Sequence, residues 1–186
     1  MMKTTDDLGL LLERLARVLQ NEAHAEGLKP TQWEALRYLS RANRFSRTPS
    51  GVTAYLGMTK GTVSQTLNAL ERKGLIGKRV DPQDRRQIAL TLTAKGRRLL
   101  ARDPIDALMR GTANLSTEQK EALTEGLHRL LAETLRRRDS RPFGLCRACR
   151  HFSAGDPAGS PHRCRLLEVP LSEEDGGLIC AEQEAA

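Results

Sequence analysis

The run Thr59-Lys60-Gly61-Thr62-Val63-Ser64-Gln65-Thr66-Leu67-Asn68-Ala69-Leu70 carries two patterns at once. Val63, Leu67 and Leu70 recur at helical spacing and form one apolar side. Thr62, Ser64, Gln65, Thr66 and Asn68 are left on the outside, short and able to donate or accept hydrogen bonds. That face suits the base edges of a DNA major groove. Gln65 and Asn68 match adenine, while Lys60 and Thr62 lie nearer the phosphates. An ordinary amphipathic helix with a solvated polar side has the same pattern, so this helix alone leaves both readings open.

The flanks supply the context. After Gly74, Ile76, Lys78 and Val80 alternate, Asp81-Pro82-Gln83-Asp84 makes a turn, and Ile88, Leu90 and Leu92 alternate again, which predicts a β-hairpin. Upstream, a short helix spans Pro49 to Leu56 and turns at Gly57-Met58. An earlier helix starts after Pro30-Thr31 and carries Trp33, Leu36, Tyr38 and Leu39 inward. The order helix, helix, helix, hairpin is that of a winged helix-turn-helix, in which the last helix enters the major groove and the hairpin tip reaches adjacent backbone or minor groove. At the N-terminus, Leu8, Leu11, Leu12, Leu15, Val18 and Leu19 line a helix that Thr4 or Thr5 caps and Gly27 ends. Thr93 caps a helix running toward Asn114 that Pro104 kinks or breaks. Ser116 with Gln119 forms a capping box for a helix carrying Leu123, Leu127, Leu130, Leu131 and Leu135.

Charge follows the same division. Residues 28–99 hold 15 Lys and Arg against 4 Asp and Glu, a net +11, while the whole chain of 186 residues carries only +7. A concentrated positive stretch is the footprint of a polyanion binder. No run approaches the ~20 apolar residues of a membrane span. Asp6, Asp7, Glu13 and Arg14 interrupt any leader-like apolar segment. A cytoplasmic location is expected, nucleoid-associated when the protein is on DNA. No nucleophile–base pair, phosphate loop or acid pair is evident, so no enzyme is expected.

Further residues then converge on one family. Leu28-Lys29-Pro30-Thr31-Gln32-Trp33-Glu34-Ala35-Leu36, then Val63-Ser64-Gln65 with Leu67 to Ile76, then Asp84-Arg85-Arg86, then Leu90-Thr91-Leu92-Thr93 and Gly96 resemble the MarR family of regulators over residues 5–138. The resemblance implies a homodimer with interlocked first and last helices, and a palindromic double-stranded operator read by two recognition helices. It also implies wing arginines in the minor groove. Carried over residue by residue, these are Arg85 and Arg86, with Asp84 orienting one of them. With Thr59, Arg72 and Arg79, these residues complete the candidate DNA-binding set.

The resemblance ends near Arg138. Residues 139–186 have a net charge of −3 and contain every cysteine of the chain: Cys146, Cys149, Cys164 and Cys180, spaced C-x2-C-x14-C-x15-C. In a reducing compartment such a cluster favours metal over disulfides, although inert or oxidisable thiols are the alternative. A segment poor in apolar residues needs another source of folding energy, and a metal site supplies one. A zinc ribbon usually offers two C-x2-C knuckles, and only one occurs here. One C-x2-C, Phe152, then two single cysteines with Leu166-Leu167 after the third resemble the cluster segment of high-potential iron–sulfur proteins. That implies an iron–sulfur cluster, [4Fe–4S] in preference, with Zn²⁺ as the alternative; His151 or His162 could replace one cysteine.

The expectation is thus a mainly α fold with a β-hairpin wing. Residues 1–138 are the winged-helix and dimerisation domain, and residues 139–186 are an irregular metal-binding extension. The expected function is a dimeric repressor whose cluster senses redox state, oxygen or iron. A structural zinc site, with control by a small ligand or by thiol oxidation, is the alternative.

Overall fold

The computed structural model describes residues 4–22, 24–80, 88–155 and 162–184. Helix α1 (Thr4–Glu22) ends earlier than Gly27. Its apolar stripe runs out at Leu19, and residues Ala25–Gly27 turn as a 3₁₀ segment in which Glu26 and Gly27 take φ of 55° and 66°.

Helix α2 (Pro30–Arg41) opens on proline, whose fixed φ suits the first helical position. The Gln32 side chain accepts from the Lys29 amide at 3.1 Å. As the spacing predicted, Trp33, Leu36, Tyr38 and Leu39 are wholly buried. Helix α3 (Pro49–Leu56) is capped by Thr48, whose hydroxyl accepts from the Gly51 amide at 3.0 Å, and it ends on Gly57 at φ 62°. Helix α4 (Lys60–Arg72) and the antiparallel strands β1 (Ile76–Val80) and β2 (Ile88–Leu92) follow, paired from Ile76↔Leu92 to Val80↔Ile88. The three helices and the hairpin share one core, with Val52, Val63, Leu67, Leu70, Ile76 and Leu90 packed around the α2 residues. Ile88 shares a strand face with Leu90 but is exposed, because the hairpin has already run beyond the core at that level.

The helix after Thr93 is broken. Helix α5 (Ala94–Leu100) stops before Asp103-Pro104, and helix α6 (Ile105–Gly111) restarts after it. Asp103 holds the break to α2. Arg37 donates through Nε and Nη2 to its two carboxylate oxygens, at 2.7 and 2.6 Å, and the Ile105 amide donates to Oδ1 at 2.9 Å. Burial alone would raise the Asp103 pKa, but the Arg37 fork, the Ile105 amide and the nearby Arg41 charge outweigh it and hold the carboxyl below its ordinary range.

Helix α7 (Thr117–Arg137) opens on the expected capping box, Ser116 Oγ accepting from the Gln119 amide and Gln119 Oε1 from the Ser116 amide. Leu8, Leu11 and Leu15 of α1 and Leu123, Leu127, Leu130 and Leu131 of α7 are each more than 40% exposed on the single chain. Bare leucine surface on that scale marks an interface.

The tail is more ordered than its composition suggests. Strand β3 (Gly144–Leu145) pairs with β7 (Ile179–Cys180), and β4 (Phe152–Ser153), β5 (His162–Cys164) and β6 (Val169–Leu171) form a small antiparallel sheet. A single turn of helix, α8 (Glu173–Gly176), lies between β6 and β7. The tail packs on its own protomer. Phe143 sets its edge against Tyr38 and Tyr55, with ring centroids 6.2 and 5.2 Å away, and Ile179 joins the main core.

Arg37→Ala leaves Asp103 buried without its partner, and we expect it to cost about 3 kcal/mol or more at neutral pH. A lowered carboxylate pKa contributes stability above about pH 4 that is lost on acidification. The gap between wild type and variant should therefore narrow as pH falls below about 4. Thermal unfolding at several pH values checks this; a gap independent of pH contradicts it.

Candidate nucleic-acid interface and cysteine site

Thr59 caps α4. Its Oγ1 accepts from the Thr62 amide at 3.2 Å and lies 2.9 Å from the Thr62 hydroxyl. Lys60, Thr62, Ser64, Gln65, Asn68 and Arg72 of α4 are all exposed, and so is Arg79 on β1. Thr66 is not. It lies three residues after Val63 and four before Leu70, on the inward stripe, and only 8% of it is exposed. Thr66 therefore leaves the set of base-reading candidates. Asp84, Arg85 and Arg86 lie outside the described residues.

Between the first turn of α2 and the outer face of α4 runs a groove of about 730 Å³, bordered by Lys29, Thr31, Gln32, Thr62, Gln65 and Arg72. Lys29 and Thr31 were not among the residues the sequence marked for DNA, and only the packing of α2 against α4 brings them here. Asn68 is partly committed already. Its Oδ1 accepts from Lys78 Nζ at 2.5 Å, and the same ammonium pairs with Glu71 at 2.8 Å, which ties the recognition helix to the wing strand.

The four cysteines come from three separate parts of the tail fold. Cys146 begins a 3₁₀ turn that ends by donating the Cys149 amide to the Cys146 carbonyl at 3.1 Å. Cys164 sits in the small sheet between Phe152 and Val169, and Cys180 lies opposite Gly144 on β7. Cys146, Cys164 and Cys180 share one buried cluster with Leu171, covered by Phe45, Phe152 and Val169, and Cys149 is buried beside them. None is disulfide-bonded. The Leu167 amide points at Cys164 Sγ and the Glu184 amide at Cys149 Sγ, both at 3.5 Å. Burial pushes the Cys146 thiol up to about 11, and the neighbouring Cys180, Cys164 and Cys149 add to the rise. A thiol held out of water in this way keeps its proton unless a cation replaces it.

Both ring nitrogens of His162 are engaged, Nδ1 by the Gly155 amide at 2.8 Å and Nε2 by Glu173 at 2.5 Å. His151 Nε2 faces Glu184 at 3.4 Å. Each histidine thus has an acidic neighbour of its own. Among the described residues, no three Cys, His, Asp or Glu side chains are placed to hold a single metal ion.

A MarR family model matches residues 26–87, from just before α2 to beyond the end of β1. The transcriptional repressor MprA of Escherichia coli (strain K12) is 30% identical over 126 residues, which span 66% of this chain and 69% of that one. The chain belongs to the MarR family. MarR family members are transcription regulators, not enzymes, and this chain is a MarR-type DNA-binding transcription regulator. A solved complex of Staphylococcus aureus MepR with DNA superposes with a TM-score of 0.58 at 25% identity, covering 72% of this chain and 99% of that one. CouR from Rhodococcus jostii RHA1, solved with p-coumaroyl-CoA, shares the fold at 23% identity and a TM-score of 0.57, over 70% of this chain and 95% of that one. These two structures are spanned almost whole by about seven-tenths of this chain.

Gln65→Ala should weaken binding to a duplex selected by the wild-type protein from a random pool by about 5- to 150-fold, the 1–3 kcal/mol of one base-edge contact. Thr66→Val, which keeps the buried shape, should change it by less than about twofold. Titration of labelled duplex with each variant checks both; the reverse ranking would return Thr66 to the reading face.

Proposed function

We propose that this regulator is a homodimeric repressor that reads a palindromic duplex with paired copies of α4, and that its tail cysteines hold an iron–sulfur cluster whose state sets its affinity for DNA. The bare leucines of α1 and α7 support the dimer, since two copies can cover what one chain leaves in water. The exposed face of α4, within the stretch of net +11, supports the DNA reading. MprA is named a repressor and MepR is solved on DNA. Arg85 and Arg86 of the wing suit minor-groove insertion, with Asp84 orienting one of them.

The observation that supports the tail reading is the gathering of Cys146, Cys164 and Cys180 in one buried cluster, with Cys149 also buried and near enough to raise the Cys146 thiol. One C-x2-C followed by two single cysteines favours a cluster over the paired knuckles of a zinc ribbon. Cys146, Cys149, Cys164 and Cys180 would each bind one iron of a [4Fe–4S] cluster, and the Leu167 and Glu184 amides would donate to two of the sulfurs. Phe45, Phe152 and Val169 shield the compartment thinly, which suits a cluster open to oxidants.

Protein purified without oxygen should be brown, with iron and sulfide in cluster proportion, and Cys164→Ser should abolish both. A colourless protein with one zinc per chain would make the site structural, and a metal-free protein would leave control to thiol oxidation. Arg86→Ala should weaken operator binding about tenfold or more; equal affinity would remove the wing arginine from the reading surface.

A further inference from the structure

Residues 42–48 join α2 to α3, and the last strand of the tail lies along them. The Asn43 amide donates to the Ile179 carbonyl at 2.8 Å, with Ala42 and Ile179 bridged in parallel. Two residues on, the Ala181 amide donates to Ser46 Oγ at 2.8 Å. Cys180 thus stands between two backbone bonds to this connector. On the near side Arg44 donates to the Pro170 carbonyl at 2.7 Å and pairs at 3.4 Å with Asp175, a buried carboxylate that also accepts from the Ser172 amide and hydroxyl. Phe45 covers the cysteine cluster itself. The connector's opposite side belongs to the DNA-reading head. The Ser46 carbonyl accepts from the Tyr38 hydroxyl at 2.7 Å, the Arg47 carbonyl accepts from the Leu90 amide of the wing strand at 2.7 Å, and Thr48 caps α3.

We infer that the cysteine site controls the reading head within one protomer, through the 42–48 connector, and not through the terminal helices that form the dimer. The inference rests on the tail holding a metal guest. With the guest bound, Cys180 is fixed, and Ile179 and Ala181 hold the connector in the register that sets the start of α3 and the wing strand. When the guest is lost, Cys180 is released, and with it Asn43, Ser46 and the support under Phe45. The head then relaxes toward a second placement of α3 and the wing, and affinity for DNA changes. Leu90 carries this change to the wing and Thr48 carries it to α3, which packs on the recognition helix α4, so the wing and α4 respond together.

The test compares full-length wild type with Arg44→Ala/Ser46→Ala, each loaded with ferrous iron and sulfide under anoxia and each stripped by a chelator. Both are titrated with a duplex selected by the loaded wild-type protein. We expect loading to change wild-type affinity by about 5- to 150-fold, the usual range of coupling between two sites. In the variant the metal content should match wild type while the loaded and stripped affinities come within about twofold of each other. A variant that keeps its metal and the full wild-type ratio overturns the connector route. Hydrogen exchange on wild type gives a readout independent of the variant's folding. Stripping should speed exchange of the Asn43, Leu90 and Ala181 amides about tenfold or more; unchanged protection overturns the inference. A wild-type protein that takes up no metal overturns the tail reading itself, and with it this inference; metal uptake without the coupling overturns only the inference.

Discussion

Residues 42–48 have no helix or sheet of their own, yet Ala42, Asn43 and Ser46 are buried, and buried backbone groups must find partners. The structure supplies them from three directions. Tyr38 reaches up from α2 to the Ser46 carbonyl, the wing strand donates Leu90 N–H to Arg47, and the tail donates Ala181 N–H to the Ser46 hydroxyl. Arg47 turns back to the Ala42 carbonyl at 2.8 Å and closes the loop on itself. Space is as constrained as bonding. A Cβ on Gly51 would run into the Ser46 carbonyl and the Tyr38 hydroxyl, so α3 approaches the connector only because that position is glycine. Burial raises the Tyr38 pKa, with Cys180 the next contributor, so this hydroxyl stays a donor throughout the physiological range. Ser46 therefore serves the head through its carbonyl and the tail through its side chain.

Electrostatics divides the labour between the two parts. The tail carries a net −3 beside a reading stretch of +11 and cannot add to the attraction for phosphates. Its arginines are largely neutralised at the surface, Arg141 against Glu182, Arg150 against Glu184 and Arg147 near Glu173. Exposed pairs of this kind contribute little to stability. What holds the tail in place is backbone pairing, the Phe143 edge on two tyrosines and the cysteine compartment. The recognition helix is fixed differently. Lys78 spans from the wing to both Asn68 and Glu71, so the helix that reads and the strand that leads into the wing move as one piece.

Much of this was legible in the sequence because it is local. Helix starts at Pro30, Pro49, Thr59, Thr93 and Ser116 are written in caps and prolines, and the hairpin in alternation; each depends on residues within about one turn of one another. Pro104 marked a kink or a break, and the structure has the break. Thr66 was misplaced because the inward stripe of α4 is wider than its aliphatic residues show, and a threonine between Val63 and Leu70 is as well buried as a valine there. The sequence also pointed to four cysteines as one site, but their spacing says nothing of where that site docks. Arg37 and Asp103 are 66 residues apart and Ser46 and Ala181 are 135 apart. No periodicity or motif marks any of them, since an arginine on a helix and a serine in a polar loop look like solvent-facing residues until the fold is closed.

The size of the tail explains why it should have a say in how the head is arranged. Its interior consists of Leu171, Val169, Phe152 and the cysteines, and one of its covering residues, Phe45, belongs to the head. A core this small does not offset the conformational entropy of about forty residues by itself. The tail must draw stability from the surface it docks on. Cys180 belongs to its compartment, while the neighbours Ile179 and Ala181 bond to the connector. On the proposed reading of the cysteines, folding of the tail, occupancy of the thiols and placement of the connector would be linked equilibria, each shifting the others in proportion to the free energy they share. A regulatory segment independent of the head would need a core of its own and a hinge between them; this chain has a shared core and a bonded seam.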